Sequence, residues 1–124
     1  MKYQIIDTPG LLDRPMEKRK ATELQAILAM KHLTDVLFFV IDPTGNLEEQ
    51  FSLLAEIKEN FSNHPVVVAI NKIDLIKNKK ELDKIKVKLT GFEVVEMCAN
   101  DYESVLSVFS EVEKLFTGLD KYKY

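Results

Sequence analysis

Apolar residues gather in four short runs, residues 3–6, 36–41, 66–70 and 93–97, spaced at about 30 residues, the length of a strand–helix–strand unit. The runs at 36–41 (Val-Leu-Phe-Phe-Val-Ile) and 66–70 (Val-Val-Val-Ala-Ile) are continuous rather than alternating. That predicts parallel strands buried on both faces. Between the runs the apolar spacing lengthens to a helical period. Over 17–32, Ala21, Leu24, Ile27 and Leu28 share one side, with Pro15 near the start. A second helix is expected after Asn46, with Glu49 as its capping partner and Phe51, Leu54 and Ile57 facing inward. A third is short and lysine-rich, with Leu82, Ile85 and Leu89 as its apolar stripe. The fourth carries Val105, Val108, Phe109, Val112, Leu115 and Phe116, with Asn100 and Glu103 at its start and Gly118 closing it.

Strands alternating with helices predict an α/β fold, a parallel sheet with flanking helices joined by right-handed crossovers. The pattern assigns residues 1–118 to one domain and 119–124 to a frayed tail. A length of 124 residues suits a single domain with its own core. The net charge of -3 argues against a surface that binds nucleic acid as a whole. The single cysteine, Cys98, allows no internal disulfide and suits a reducing cytoplasm. No apolar run approaches the roughly 20 residues of a membrane helix, so no membrane partner is expected. The first strand pattern begins almost at Met1, which suggests a domain completed elsewhere: a truncation, a split gene or a partner chain.

In a parallel sheet, ligands sit beyond the carboxyl ends of the strands. Asp7, Asp42, Asn71 and Cys98 all fall at such ends. Asp7-Thr8-Pro9-Gly10 follows the first run and Asn71-Lys72-Ile73-Asp74 follows the third. These match the D-x-x-G and N-K-x-D elements by which a GTPase holds its nucleotide. A hard cation wants carboxylate oxygen, so Asp7 is the candidate Mg²⁺ residue. Gly10, with no Cβ, can present an open backbone N–H to a γ-phosphate. Strand-to-turn chemistry alone would also place Asp and Pro-Gly there. The Asp74 carboxylate can accept two hydrogen bonds from the N1 and N2 donors of guanine, which adenine does not offer. Asn71 can tie neighbouring loops together and reach the base, and the Lys72 stem can lie along the ring. A capped strand end leading into a solvated loop is the plain reading of the same four residues.

Cys98-Ala99-Asn100 stands where GTPases of this kind carry Ser-Ala-Lys. By that correspondence the Ala99 amide would meet guanine O6 and Asn100 would replace the lysine, although Asn100 equally suits the N-cap of the next helix. Cys98 reads as a small buried apolar residue rather than a nucleophile, with no basic neighbour in sequence to activate it. Leu11 follows Gly10 where Ras-like enzymes place a water-orienting glutamine. The sequence holds no phosphate-cradling G-x-x-x-x-G-K-[ST] loop. Lys77, Lys79, Lys80, Lys84, Lys86 and Lys88 crowd the third helix, diluted by Glu81 and Asp83; such a run is ordinarily a solvated face and less often an RNA contact. His32 and His64 have no ligand-like spacing.

The run Ile5-Ile6-Asp7-Thr8-Pro9-Gly10-Leu11-Leu12-Asp13-Arg14-Pro15, followed by Arg19, Glu23 and Gln25-Ala26-Ile27, resembles the nucleolar GTP-binding protein family, the Nog branch of the Obg-like P-loop GTPases. The resemblance continues through Asp42-Pro43 to Asn71-Lys72-Ile73-Asp74. It implies the C-terminal part of a Ras-like G domain without its phosphate-loop strand. It also implies GTP or GDP as ligand, with Mg²⁺ held weakly or not at all. The expected process is large ribosomal subunit assembly, with rRNA or a pre-ribosome as partner. A second chain supplying the phosphate loop, or a homodimer with exchanged strands, would complete such a domain; otherwise the first two strands pair directly in a four-stranded sheet. The competing reading is a nucleotide-free α/β scaffold that binds RNA or protein. A response-regulator-like domain needs an acidic pair at the first strand, and Asp7 has no acidic neighbour in sequence.

Overall fold

A computed structural model describes residues 4–5 and 32–123, with side chains through residue 115. The chain divides into two compact units, Met1–Leu33 and Thr34–Tyr124. In the first, Gln4 and Ile5 are exposed and lie outside any strand. The rest of the run at 3–6, its pairing with the next strand, and the helix expected over 17–32, His32 apart, fall outside the described residues. So do Asp7, Gly10 and Leu11.

The second unit alternates strand and helix: β1 (Leu37–Ile41), α1 (Leu47–Asn60), β2 (Val66–Ile70), a 3₁₀ turn (Ile73–Leu75), α2 (Lys79–Lys88), β3 (Glu93–Glu96) and α3 (Tyr102–Lys123). The strands form a parallel sheet in the order β1-β2-β3. Leu37 is aligned with Val66 and Ile41 with Ile70, and Val67 to Ile70 lie beside Glu93 to Glu96. A sheet that grows in one direction through right-handed crossovers must carry both crossover helices on one face. Leu54 of α1 and Ile85 and Leu89 at α2 accordingly pack together on Ile41, Val66, Val68 and Ile70. The opposite face carries α3, whose Val108 meets Ala69, Val95 and Met97.

β2 is buried at every position, as its unbroken apolar run predicts. β1 differs from expectation. Its inward set packs on the helices, but Phe38 and Val40 are each 40% exposed on the other face, where α3 packs on residues of β2 and β3. Asn46 caps α1 as expected, its Oδ1 accepting the Glu49 N–H, and Asn78 does the same for α2 through Glu81. Leu54 is buried, while Phe51 and Ile57 are half-buried.

α3 departs from the pattern in three ways. Its cap is Asp101 rather than Asn100: the Asp101 carboxylate accepts the Glu103 N–H and its carbonyl accepts the Val105 N–H. Gly118 does not close it, since the helix runs on to Lys123. A glycine costs a helix only about 1 kcal/mol, and the five residues after it include no proline. The tail expected from 119 is therefore largely helical. Phe109 faces outward at 46% exposure, beside exposed Leu106, because Val105, Val108 and Val112 already fill the inward line.

Candidate functional site

β1, β2 and β3 end side by side, and the loops leaving them supply the polar groups. Backbone bonds lock these ends together: Asn71 N–H donates to the Ile41 carbonyl at 2.9 Å, Met97 N–H to Ile70 at 2.8 Å, and Ile73 N–H to Met97 at 3.3 Å. The loop bases are thus as fixed as the sheet itself, and the side chains above them start from set positions.

Asn71 reaches sideways to the loop after β3, where its Oδ1 accepts the Ala99 N–H at 2.9 Å. It thereby ties neighbouring loops, as its sequence position suggests. The Ala99 amide, expected to face guanine O6, is engaged by this bond and would have to share or leave it to meet a ligand. The other end of the Asn71 amide is still a donor.

Lys72 adopts a left-handed backbone, φ 53°. For a residue with a Cβ that conformation carries a local cost of order 1–3 kcal/mol. It turns the chain sharply off β2 into the 3₁₀ turn that carries Asp74, closed by the Leu75 N–H donating to the Lys72 carbonyl at 2.9 Å. The Lys72 ammonium crosses to the loop after β1 and pairs with Asp42 Oδ2 at 2.8 Å. Asp42 Oδ1 accepts the Thr44 N–H at 2.9 Å and its hydroxyl at 2.6 Å. The hydrogen bond from Lys72, with those from Thr44, lowers the Asp42 pKa from 3.8 to about 2.

Asp74 is exposed. Its Oδ1 accepts a hydrogen bond from the Cys98 thiol at 3.5 Å. Cys98 is therefore half-buried and polar in its contact, not the packed apolar residue expected from sequence. Its backbone is fixed by Ser104, whose Oγ accepts the Cys98 N–H at 2.9 Å. Asn100 is exposed; with Asp101 taking the cap, its side chain is not spent on the helix.

Asn71, Lys72, Asp74, Cys98, Ala99 and Asn100 are thus carried by two neighbouring loops at one end of the sheet. Asp7 and Gly10 lie outside the described residues, and so does the Mg²⁺ position assigned to Asp7. Among the described residues no group of three or more His, Cys, Asp or Glu side chains could hold a metal ion. Sequence reasoning did not assign roles to Gln50 or Asp42. Gln50 is buried and bonds the backbone of Asp42 at both ends of its amide. The Asp-Pro-Thr-Gly-Asn run at 42–46 signals an Asx-type turn, but a contact 30 positions away, to Lys72, leaves no local trace. Chemically, the site offers an exposed carboxylate acceptor, an amide, and a lysine stem held at its far end.

The family model described as Nucleolar GTP-binding protein 1 matches residues 21–74. An uncharacterised protein of Methanocaldococcus jannaschii is 49% identical over 83 residues, 64% of this chain and 23% of that protein. Nucleolar GTP-binding protein 1 of Drosophila melanogaster is 44% identical over 80 residues, 61% of this chain and 12% of its own length. The Saccharomyces cerevisiae protein of the same name is 34% identical over 130 residues, 95% of this chain and 20% of its own. The chain spans less than a quarter of the length of these relatives. The name of the Drosophila melanogaster and Saccharomyces cerevisiae proteins places those two in the nucleolus, a compartment other than the cytoplasm expected for this chain. No described helix is long and apolar enough to cross a membrane.

Proposed function

The chain belongs to the nucleolar GTP-binding protein family, and on that premise we propose that it binds guanine nucleotide at the loop ends of β1, β2 and β3. The observation that carries this reading is Asp74. Its carboxylate stands exposed on a 3₁₀ turn, held from one side by the Cys98 thiol, while Asn71 and Lys72 brace the same loop against both neighbours. An exposed, braced carboxylate is the acceptor that the paired N1 and N2 donors of guanine require. Asn71, Lys72, Asp74, Cys98, Ala99 and Asn100 form the base-binding set; for Asp7 and Gly10, which lie outside the described residues, family resemblance alone carries the Mg²⁺ and γ-phosphate roles. Mg²⁺, where bound, would screen phosphate charge.

Residues 1–118 act in this reading as the C-terminal part of a G domain. The phosphate contacts that these residues do not supply would come from the rest of the G domain, on the same chain or on another. By family resemblance the process served is large ribosomal subunit assembly on rRNA, in the nucleolus or cytoplasm. The chain alone does not turn over GTP. In phosphoryl transfer the charge is met by a loop lysine, loop amides and Mg²⁺, and an arginine finger alone is worth about 10³–10⁵ in rate. With those contacts missing, binding is weaker than micromolar, Kd above about 10⁻⁶ M.

Calorimetric titration of the chain with GDP and ADP tests the reading. GDP binds more tightly, and Asp74→Asn shifts the preference toward xanthine nucleotide, whose edge offers an acceptor where guanine has a donor. Equal affinity for GDP and ADP refutes it and favours the nucleotide-free scaffold.

A further inference from the structure

Gln50 is 3% exposed, the one buried polar side chain among the described residues. A buried amide costs free energy unless its groups are bonded, so where its bonds go indicates what it is for. Gln50 Oε1 accepts the Asp42 N–H at 2.7 Å, and Nε2 donates to the Asp42 carbonyl at 2.9 Å and the Asn46 carbonyl at 3.2 Å. Every one of these bonds fixes one loop, and two of the three fix one residue. The space is close: a Cβ on Gly45 would lie 3.2 Å from Gln50 Nε2.

The Asp42 side chain is then turned by Thr44 and directed at Lys72. As a source of stability this last pair is a poor investment. Its side chains are 44% and 42% exposed, and exposed ion pairs contribute about 0–1 kcal/mol. Lys72 also sits in a costly left-handed backbone. What the arrangement does supply is geometry. A free lysine samples many rotamers; with its backbone set by the turn and its ammonium set by Asp42, the four-carbon stem has both ends fixed.

We propose that Asp42, clamped by the buried Gln50, is a positioning residue of the nucleotide site: it holds the Lys72 ammonium so that the Lys72 stem forms a fixed apolar wall for the base. This rests on the guanine-nucleotide reading above. Asp42 itself contacts no ligand and acts through Lys72.

The test is calorimetric titration of GDP and ADP into the full chain and into Asp42→Asn, Lys72→Met and the double variant, each checked for fold by circular dichroism. Methionine keeps most of the stem and removes the ammonium. Each single substitution weakens GDP binding about three- to tenfold, the double variant weakens it no further than either one, and the preference for GDP over ADP persists throughout. A loop-stability role for Asp42 would instead add a further loss in the Lys72→Met background, and that additivity overturns the proposal. Unchanged GDP affinity in Asp42→Asn, with guanine preference intact, overturns it while leaving the nucleotide reading standing. Equal GDP and ADP affinity in the unmodified chain removes both. Should Asp42→Asn fail to fold, Lys72→Met decides, because it leaves the clamped loop untouched: full GDP affinity there overturns the proposal and a several-fold loss supports it.

Discussion

The Cys98 thiol donates to Asp74 Oδ1 at 3.5 Å, joining the loop after β3 to the turn after β2 across 24 positions of sequence. The chain's one cysteine therefore reports on its candidate base-recognition residue. A thiol reagent should label Cys98, and GDP should slow the labelling roughly tenfold at a concentration ten times its Kd, while ADP at that concentration protects less. Mass spectrometry of the labelled chain measures both rates. Cys98→Ser puts a shorter, stronger hydroxyl donor on the carboxylate and should keep GDP affinity within about threefold.

Asn71→Ala removes the side chain that accepts the Ala99 amide. Ala99 is exposed, so water replaces the lost partner, and the stability cost should be modest, about 1 kcal/mol in a urea titration. The loss of GDP affinity should exceed that, since the substitution frees the 98–100 loop from the 71–74 turn.

Lys72 separates stability from binding. Lys72→Gly relieves the left-handed backbone and loses one exposed ion pair. The relief, about 1–3 kcal/mol, is opposed by the lost pair, about 0–1 kcal/mol, and by the greater unfolded-chain freedom of glycine, about 0.4–1 kcal/mol, so urea stability should not fall by more than about 1 kcal/mol while GDP binding weakens. Lys72→Val, β-branched at a positive φ, should destabilise by about 1–3 kcal/mol.

Asp42 gives a pH signature. Its pKa is lowered from 3.8 to about 2 in the folded chain by the hydrogen bonds from Lys72 and Thr44. A lowered folded pKa means stabilisation that is fully present above the unfolded value and disappears as pH falls through the folded one. The stability difference between the unmodified chain and Asp42→Asn should therefore be constant above about pH 5 and shrink between about pH 4 and 2. For so exposed a pair, its size should not exceed about 1 kcal/mol. Urea midpoints across that range measure it.

What sequence revealed and what it concealed divide along physical lines. The run Val66–Ile70 announces a strand covered on both faces because every residue is apolar, and Asn46 announces a helix start because its cap bond is three residues long. The residues at the strand ends were legible because a parallel sheet brings such ends together whatever the details. Long-range choices were not legible. Nothing near Ala99 says that its amide is taken by Asn71, and nothing near Gln50 says that it is buried to hold Asp42. Asp101 outcompetes Asn100 as a cap by one position. β1 reads as fully buried from its composition, yet its second face depends on where α3 lands.

Asn71 and Lys72 are adjacent, yet one is laced to the loop beyond β3 and the other to the loop beyond β1. Two successive residues just past the middle strand thus work as a crossed stitch through three separate turns. The peptide unit between them joins the two side-chain ties. The turn that carries Asp74 is therefore tied to both outer loops at once, by Lys72 on one side and by Asn71 and the Cys98 thiol on the other.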